Sequence, residues 1–576
     1  METAPTKRST WIALLALTLA ALVVRLWGID FGAPIWEEPD PDIIAHVDQL
    51  RGDPVLSTVD APEQQYPHLI ARLAQLLPRR PPAQGDGSPT TLEGHLKAAA
   101  WTHVQVRALV ALLSCATIPL VFALARRFVA ERFALLAAVL AATSLLHEHF
   151  AQQGRPHGAA VSFFAWTLLA CIDVAQRGRW RDFAHAGIAS AVTLATIQSG
   201  LAVLLAGVAA WWIAAARERA ALPRITLPIA LVAAGIVVFY PYYFDGSAGV
   251  QDPARHVDES QVLLRFGEHM ILRSEFDGSG LRVLALSLWN YEPVLCALLV
   301  LAVLVALFHF RPRSSGVAAR VVLAFVVPYS LVSCAYGMTL ERFALPLLPV
   351  FAVFAAWGLE RAFGALQRDS ARRAASAALL VLLTLPAAAC LKLSWLRSQP
   401  DTLDLAAQFV AADPPSTAWV QPPLDLPLAR QRAPRPGGLF TPWARWQAAA
   451  SDVATLKEAR DLRWLLPKPE QRADLEGYLR SLGPGLVVLE RFEVRTEHVE
   501  RAALRKTLQR VGELAATFSP DPDPTRTELE FFFQLSDHFN ADAHWDHPHF
   551  TLRLLTARAI GCVVEVWRLP EVGEPR

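Results

Sequence analysis

Little in this chain belongs to an ordinary soluble enzyme. Charged residues make up only 19% of its 576 residues against 53% hydrophobic, and the net charge is +1. So small a balance supplies no field for holding nucleic acid. Lysine is scarce. The basic residues are mostly Arg, set in small clusters between apolar runs rather than in a stripe with interleaved aromatics. The cysteines are Cys115, Cys171, Cys296, Cys334, Cys390 and Cys562. Five lie in long apolar runs, where a thiol acts as a small hydrophobe, and their spacing makes neither a disulfide framework nor a metal site. The polar C-terminal third contains no nucleophile elbow, P-loop, dinucleotide fingerprint or zinc spacing. The start, Lys7-Arg8 followed by apolar Trp11 to Trp27, has no small-residue cleavage site and reads as a retained span.

What is abundant is apolar sequence. Runs cover roughly 11–28, 104–125, 133–150, 157–175, 183–199, 201–216, 225–243, 284–309, 318–335, 343–363 and 374–393. At about 20 residues per crossing helix these predict about eleven spans, with 183–199 and 201–216 a short hairpin of tilted or partial ones. With the N-terminus inside, the inner loops carry Lys7/Arg8, Arg126/Arg127/Arg132, Arg177/Arg179/Arg181, Arg217/Arg219/Arg224, Arg311/Arg313/Arg320 and Arg361/Arg368/Arg372/Arg373. Every inner loop is then basic, as membrane topology requires. The reading is an α-helical polytopic membrane domain, 1–393, followed by a soluble extracytoplasmic α/β domain, 394–576. Two large outer loops are expected, 30–101 and 244–282. In the first, Leu69 to Leu77 reads as helical and Pro78 to Pro89 as mobile. In the second, Val262 to Phe266 reads as an amphipathic helix on the membrane. In the C-terminal domain Thr417 to Val420, Gly485 to Leu489 and Gly561 to Trp567 read as strands; Leu403 to Ala411 and Ala454 to Arg463 read as helices.

The stretch Trp36 to His46 carries Glu37, Glu38, Asp40, Asp42 and His46 just after the first span. Pro39 and Pro41 forbid a regular helix through the acids. A helix can start at Asp42, with Ile43, Ile44 and Val47 on one face. A solvated acidic loop is the plain alternative. Ionisable residues at membrane depth mark functional sites, and four groups qualify: Arg107, His147-Glu148-His149, Arg155-Pro156-His157 and Glu341-Arg342. All are expected at the outer rim and none at the midplane, where a transporter concentrates its polar groups. Headgroup snorkelling is the structural alternative for each Arg. The cluster His538, His544, His547, His549, Asp537, Asp542 and Asp546 matches no standard ligand set and reads as a polar loop, with a metal site as the other reading.

Together these features resemble the polytopic GT-C glycosyltransferases, in particular the polyprenyl-phosphate-sugar-dependent mannosyltransferase and aminoarabinose-transferase-like group. Arg25-Leu26-Trp27-Gly28-Ile29 with Pro39-Asp40 is similar to the family's first-span exit and its Asp-Glu motif. Tyr66-Pro67-His68-Leu69 is similar to its Tyr-Pro-x-Leu element, and Glu341 to Pro349 to its Arg-Tyr-x-x-Pro-x-x-Pro element. Asp401-Thr402 resembles the start of its outer domain. The resemblance implies inverting transfer of a hexosyl or pentosyl group from a polyprenyl-phosphate donor to a lipid, glycan or protein acceptor on the outer face of a bacterial inner membrane. It implies Asp40 as base, with Asp42 or Glu38 as alternates, and Arg155, Arg342, Arg107 and His157 as donor-phosphate ligands. No cofactor is implied, though a divalent metal is compatible. Two departures stand out: Asp-Glu reads Asp40-Pro41 here, and His157 stands where the family often has an acid. A catalytically silent scaffold of the same fold and a lipid or solute transporter are the rival readings.

Overall fold

The computed structural model describes residues 8–36, 38, 42–52, 66–83, 87–240, 261–266, 269–309, 316–413, 417–435, 439–491, 499–523 and 549–570. Among the described residues sixteen α-helices make the membrane domain. They are α1 (Arg8–Leu26), α2 (Asp42–Arg51), α3 (Leu69–Ala74), α4 (Leu92–Cys115), α5 (Thr117–Ala125), α6 (Glu131–Ala142), α7 (Leu145–Ala151) and α8 (His157–Arg177). After them come α9 (Trp180–Leu194), α10 (Leu204–Arg217), α11 (Thr226–Phe239), α12 (Gly280–Tyr291), α13 (Pro293–His309), α14 (Gly316–Ala335), α15 (Leu348–Ala365) and α16 (Asp369–Arg397).

Among the described residues seven helices are long and apolar enough to cross a membrane, or nine if two bent pairs each count as one span. The bent pairs are α6 with α7, at 52°, and α12 with α13, at 114°. The expected eleven include α9 and α11. At 15 and 14 residues these rise about 21–23 Å, short of a hydrocarbon core of about 30 Å. The two pack against each other. Helix α8 is the hub: it touches α4, α5, α9, α10 and α14, and its small residues Ala159, Ala160, Ala165 and Ala170 are buried. Gly178, at φ +67°, ends it in the left-handed conformation that favours glycine.

Several local expectations hold. Helix α2 begins at Asp42 and buries Ile43, Ile44 and Val47 against α3 and α4. The helical patch after Leu69 is α3. In the Pro-rich stretch after it Arg80 reaches both oxygens of Asp48 at 2.9 and 3.0 Å and Thr102 at 2.8 Å. Val262–Phe266 is not an amphipathic helix but strand β1, paired antiparallel with β2 (His269–Leu272). Five residues are too few for a helix with a defined face, and the next four supply a partner strand. Most of the rest of the second outer loop lies outside the described residues.

α16 runs four residues past the expected border at 393 and is followed, after the Asp401 cap, by α17 (Thr402–Ala412). The C-terminal sheet comprises β3 (Thr417–Val420), β4 (Leu462–Trp464), β5 (Gly485–Glu490), β6 (Glu513–Phe518) and β7 (Val564–Leu569), in the order β4-β3-β5-β7-β6. β3 pairs parallel with β4 and β5, and β7 antiparallel with β5 and β6. The helix expected over 454–463 is a 3-10 turn (Ser451–Thr455) and then β4, because the edge of β3 is free to take Leu462 to Trp464 as a partner. The sheet domain is locked onto the bundle. Phe550 N donates to Asn290 Oδ1 at 2.8 Å, beside the break between α12 and α13, and Trp443 N donates to Pro34 O at 3.1 Å.

Candidate active site

The polar residues gather at the end of the bundle that carries the sheet domain. The break between α6 and α7 is held by a carboxylate. Glu292 accepts from Ser144 Oγ at 2.6 Å and from Leu146 N at 3.0 Å, and Ser144 caps α7 through His147 N. The bend turns His147, Glu148 and His149 inward, where all three are fully buried. Arg25 Nε lies 3.2 Å from Glu148 Oε2, and its Nη1 donates to Ser114 Oγ at 2.9 Å. Arg25 Nη2 lies 3.2 Å from His147 Nδ1. A guanidinium only donates, so Nδ1 accepts and Nε2–H donates to Gly158 O at 2.9 Å. Arg397, from the end of α16, bonds His149 Nδ1 at 2.9 Å and Gln152 Oε1 at 2.7 Å. This lattice stitches α1, α7 and α16 together, and every member has a partner.

Above it sits the exit of the first span. Gly28, at φ +71°, lets the chain pass where a Cβ would come within 2.6 Å of the Arg397 and Ser398 backbone. Ile29, Phe31 and Glu38 then surround Arg107. Its Nη1 donates to Ile29 O at 3.1 Å and Phe31 O at 2.7 Å, and its Nε to Glu38 Oε1 at 2.5 Å. Glu38 Oε2 accepts Gly154 N at 3.1 Å. Both partners of this ion pair are fully buried. Arg107 and Arg397 also lie over the Phe31 ring, at 4.6 and 4.0 Å.

Beyond Gly154 the chain enters α8 through Arg155 and His157, both buried. The Tyr66 ring meets His157 edge-on at 5.9 Å. His157 lies within the electrostatic reach of both Arg155 and Arg342. Arg342 follows Glu341, which accepts from Tyr291 Oη at 3.1 Å. A small cleft opens here, lined by His157, Phe164, Ser199, Tyr329, Arg342 and Phe343 among others. Its lining mixes a guanidinium, an imidazole and two hydroxyls with aromatic and aliphatic groups.

The sequence-derived site residues therefore divide. His157 and Arg342 line one cleft, and Arg155 stands two residues before His157 without lining it. Arg107 is committed to Glu38 and two carbonyls, and Glu38 has both oxygens occupied. Asp40 lies outside the described residues, as does the side chain of Asp42, whose backbone opens α2. Close by, His46 stacks on His68 with ring centroids 4.3 Å apart. Burial first, and then the neighbouring His68 and Arg72, push the His46 imidazole down to about 4. Sequence reasoning passed over Gly154, Arg25, Arg397 and Tyr329; only Arg25, an Arg inside an apolar run, carried a visible signal. Among the described residues no group of His, Cys, Asp or Glu is placed to hold a metal ion. Of the His/Asp-rich cluster only His549 is described, its ring edge-on to Trp289 at 5.4 Å.

Residues 96–244 match the family model for dolichyl-phosphate-mannose-protein mannosyltransferase. The match runs from α4 through α11 and contains Arg107, Glu148, Gly154, Arg155 and His157. It agrees with the glycosyltransferase resemblance drawn from the motifs. No curated protein matches the chain in sequence. Among solved structures the chain is similar to apo ArnT from Cupriavidus metallidurans, at 15% identity over 88% of this chain and 96% of that one, with a TM-score of 0.46. It is also similar to the Archaeoglobus fulgidus oligosaccharyltransferase AglB in complex with an inhibitory peptide and a dolichol-phosphate, at 12% identity over 94% and 75%, with a TM-score of 0.41. ArnT bound to undecaprenyl phosphate gives 15% identity over 88% and 97%, with a TM-score of 0.41.

Proposed function

We propose that this protein is an inverting, membrane-embedded glycosyltransferase. It moves a hexosyl or pentosyl group from a polyprenyl-phosphate donor to a lipid, glycan or protein acceptor at the membrane face that bears the sheet domain. That face is extracytoplasmic, with the N-terminus cytoplasmic, and the membrane is a bacterial inner membrane; the basic loops between alternate spans support this orientation. The observation that supports the reading is that His157 and Arg342 line one cleft, with Arg155 two residues before His157 and next to Gly154, which bonds the buried root of the acidic first loop.

A lipid-linked donor brings its phosphate to the membrane boundary, so the site belongs at the rim rather than at the midplane. Phosphate leaves readily once its charge is neutralised. The guanidinium groups of Arg155 and Arg342 serve that purpose, forming charge-assisted, forked hydrogen bonds to the departing oxygens. His157 donates to the same group. A carboxylate must take the acceptor's proton as the new glycosidic bond forms on the opposite face of the anomeric carbon. Asp40 has that role and Asp42 is its alternate. Glu38 is the weaker choice because its oxygens are already bonded, and Arg107 is tied to Glu38 rather than turned to the donor.

The test is transfer by purified protein from a panel of radiolabelled polyprenyl-phosphate sugars to membrane acceptors. Asp40→Asn is expected to lower transfer by about 10²–10⁴-fold while the protein inserts and elutes as the wild type does. Full activity in that variant removes Asp40 from the mechanism. Flux of a solute or lipid without sugar transfer favours the transporter reading, and a folded protein that neither transfers nor hydrolyses any donor favours the scaffold.

A further inference from the structure

We propose that Glu38, Arg107 and Gly154 form a positioning lock that ties the exit of the first span to the turn carrying Arg155, and that Glu38 is not itself the base. The inference rests on the glycosyltransferase reading and deepens it by giving two charged residues of the rim a role outside the chemistry.

Glu38 is 1% exposed and Arg107 0%. One carboxylate oxygen takes Arg107 Nε at 2.5 Å, and the other takes the Gly154 amide at 3.1 Å. A base needs a free lone pair pointed at its substrate; this carboxylate has spent its best directions on fixed donors. The same three groups belong to three different parts of the chain. Glu38 lies two residues before Asp40 and four before Asp42. Arg107 stands in the middle of α4 and also bonds Ile29 and Phe31. Gly154 immediately precedes Arg155. One buried carboxylate thus joins the strand of chain that leads to the acids with the turn that presents a phosphate-binding guanidinium.

The fit at Gly154 is close. A Cβ there would stand 3.0 Å from the Glu38 carboxyl carbon and 3.2 Å from Oε1. Any larger residue requires the carboxylate to shift by a few tenths of an ångström against the amide and Arg107. Removing one partner of a buried charged pair strands the other, so the lock holds or fails as a unit. Distances between reacting groups govern rate steeply, and a misplacement of about 1 Å costs on the order of 100-fold.

Two readouts on Glu38→Gln, Gly154→Ala and Arg107→Lys separate positioning from chemistry. The first is affinity for undecaprenyl phosphate, followed by tryptophan fluorescence in detergent; it needs no acceptor and stays informative if no transfer is found. The second is kcat and its pH profile in transfer. The lock predicts at least tenfold weaker undecaprenyl phosphate binding in Gly154→Ala and Glu38→Gln. It also predicts a lower kcat with the acidic limb of the profile retained, and a milder loss in Arg107→Lys. Wild-type binding in Glu38→Gln together with abolished transfer and a lost acidic limb makes Glu38 the base and overturns the lock. Wild-type binding in all three variants overturns it as well. Active wild type with unaffected variants refutes the lock alone, whereas inactive wild type refutes the glycosyltransferase reading alone.

Discussion

The two ends of the helical bundle use the same residue, arginine, in opposite ways. At the end where α8 finishes, Arg132, Arg177, Arg179, Arg181, Arg217 and Arg219 are exposed. At this end Arg179 pairs with the buried Asp182, Arg217 donates to the Gln176 carbonyl, and the half-buried Arg127 pairs with Asp173. At the end where α8 begins, Arg25, Arg107, Arg155 and Arg397 are buried. Desolvating a guanidinium is costly unless its donors are satisfied. The first set lies where charge alone is enough. In the second set Arg25, Arg107 and Arg397 are bonded to interior partners and fix a shape.

The sharpest way to break that contrast is to remove a buried guanidinium that serves the lattice alone. Arg25→Ala leaves Glu148 without its guanidinium partner and His147 Nδ1 without its donor. It is expected to destabilise the protein by about 3–5 kcal/mol, read as a large fall in melting temperature and in yield of monodisperse protein. Next comes a cation at the cavity. Arg342→Gln is expected to lower transfer by about 10²–10³-fold, the usual loss for one stabilising donor, while the melting temperature stays near that of wild type. An equal loss of stability in the two variants erases the distinction between lattice and site.

A smaller effect sharpens the comparison within the first loop. His46 is held at about 4, below its ordinary 6.5, so the folded state binds fewer protons than the unfolded one between those values. Stability from this group is present above about pH 6.5 and is lost as pH falls towards 4. His46→Gln is expected to flatten that part of the melting-temperature profile, leaving α2 otherwise docked through Ile43, Ile44 and Val47. An unchanged slope in the variant assigns the acid sensitivity to other groups.

What sequence reasoning reached, and what it missed, follow from the range of the interactions. Helix α2 was legible because two prolines, a helix-starting acid and three apolar residues fall within ten positions. β3, β5 and β7 were legible as short apolar runs, although β7 begins three residues later than expected. The site cations stood out because an Arg or His beside an apolar run has few uses. The lock was invisible: Glu38 and Arg107 are 69 residues apart, and Arg25 and Glu148 are 123 apart. No local pattern states which acid a buried Arg will meet. β4 failed for the same reason, since Leu462 to Trp464 is extended only because β3 lies beside it. The count of spans turns on length: seven to nine of the expected eleven are long enough among the described residues, and α9 and α11 are short.

The smallest expected effect completes the contrast. Arg127 Nη2 lies 2.7 Å from Asp173 Oδ1, and its Nη1 donates to Gln176 at 3.1 Å. The geometry is better than that of the Arg25–Glu148 pair, at 3.2 Å. On distance alone Arg127 would matter more. Its side chain is 19% exposed, however, and that of Asp173 15%, so water competes for both partners and neither is stranded when the other is removed. Arg127→Gln is therefore expected to cost less than about 1 kcal/mol, and less again at high salt, where exposed charges are screened. Melting curves of Arg127→Gln and Arg25→Ala at low and high salt decide the matter. A salt-dependent, small shift at Arg127 beside a salt-independent, large one at Arg25 means that burial, not contact distance, separates the two ends of the bundle.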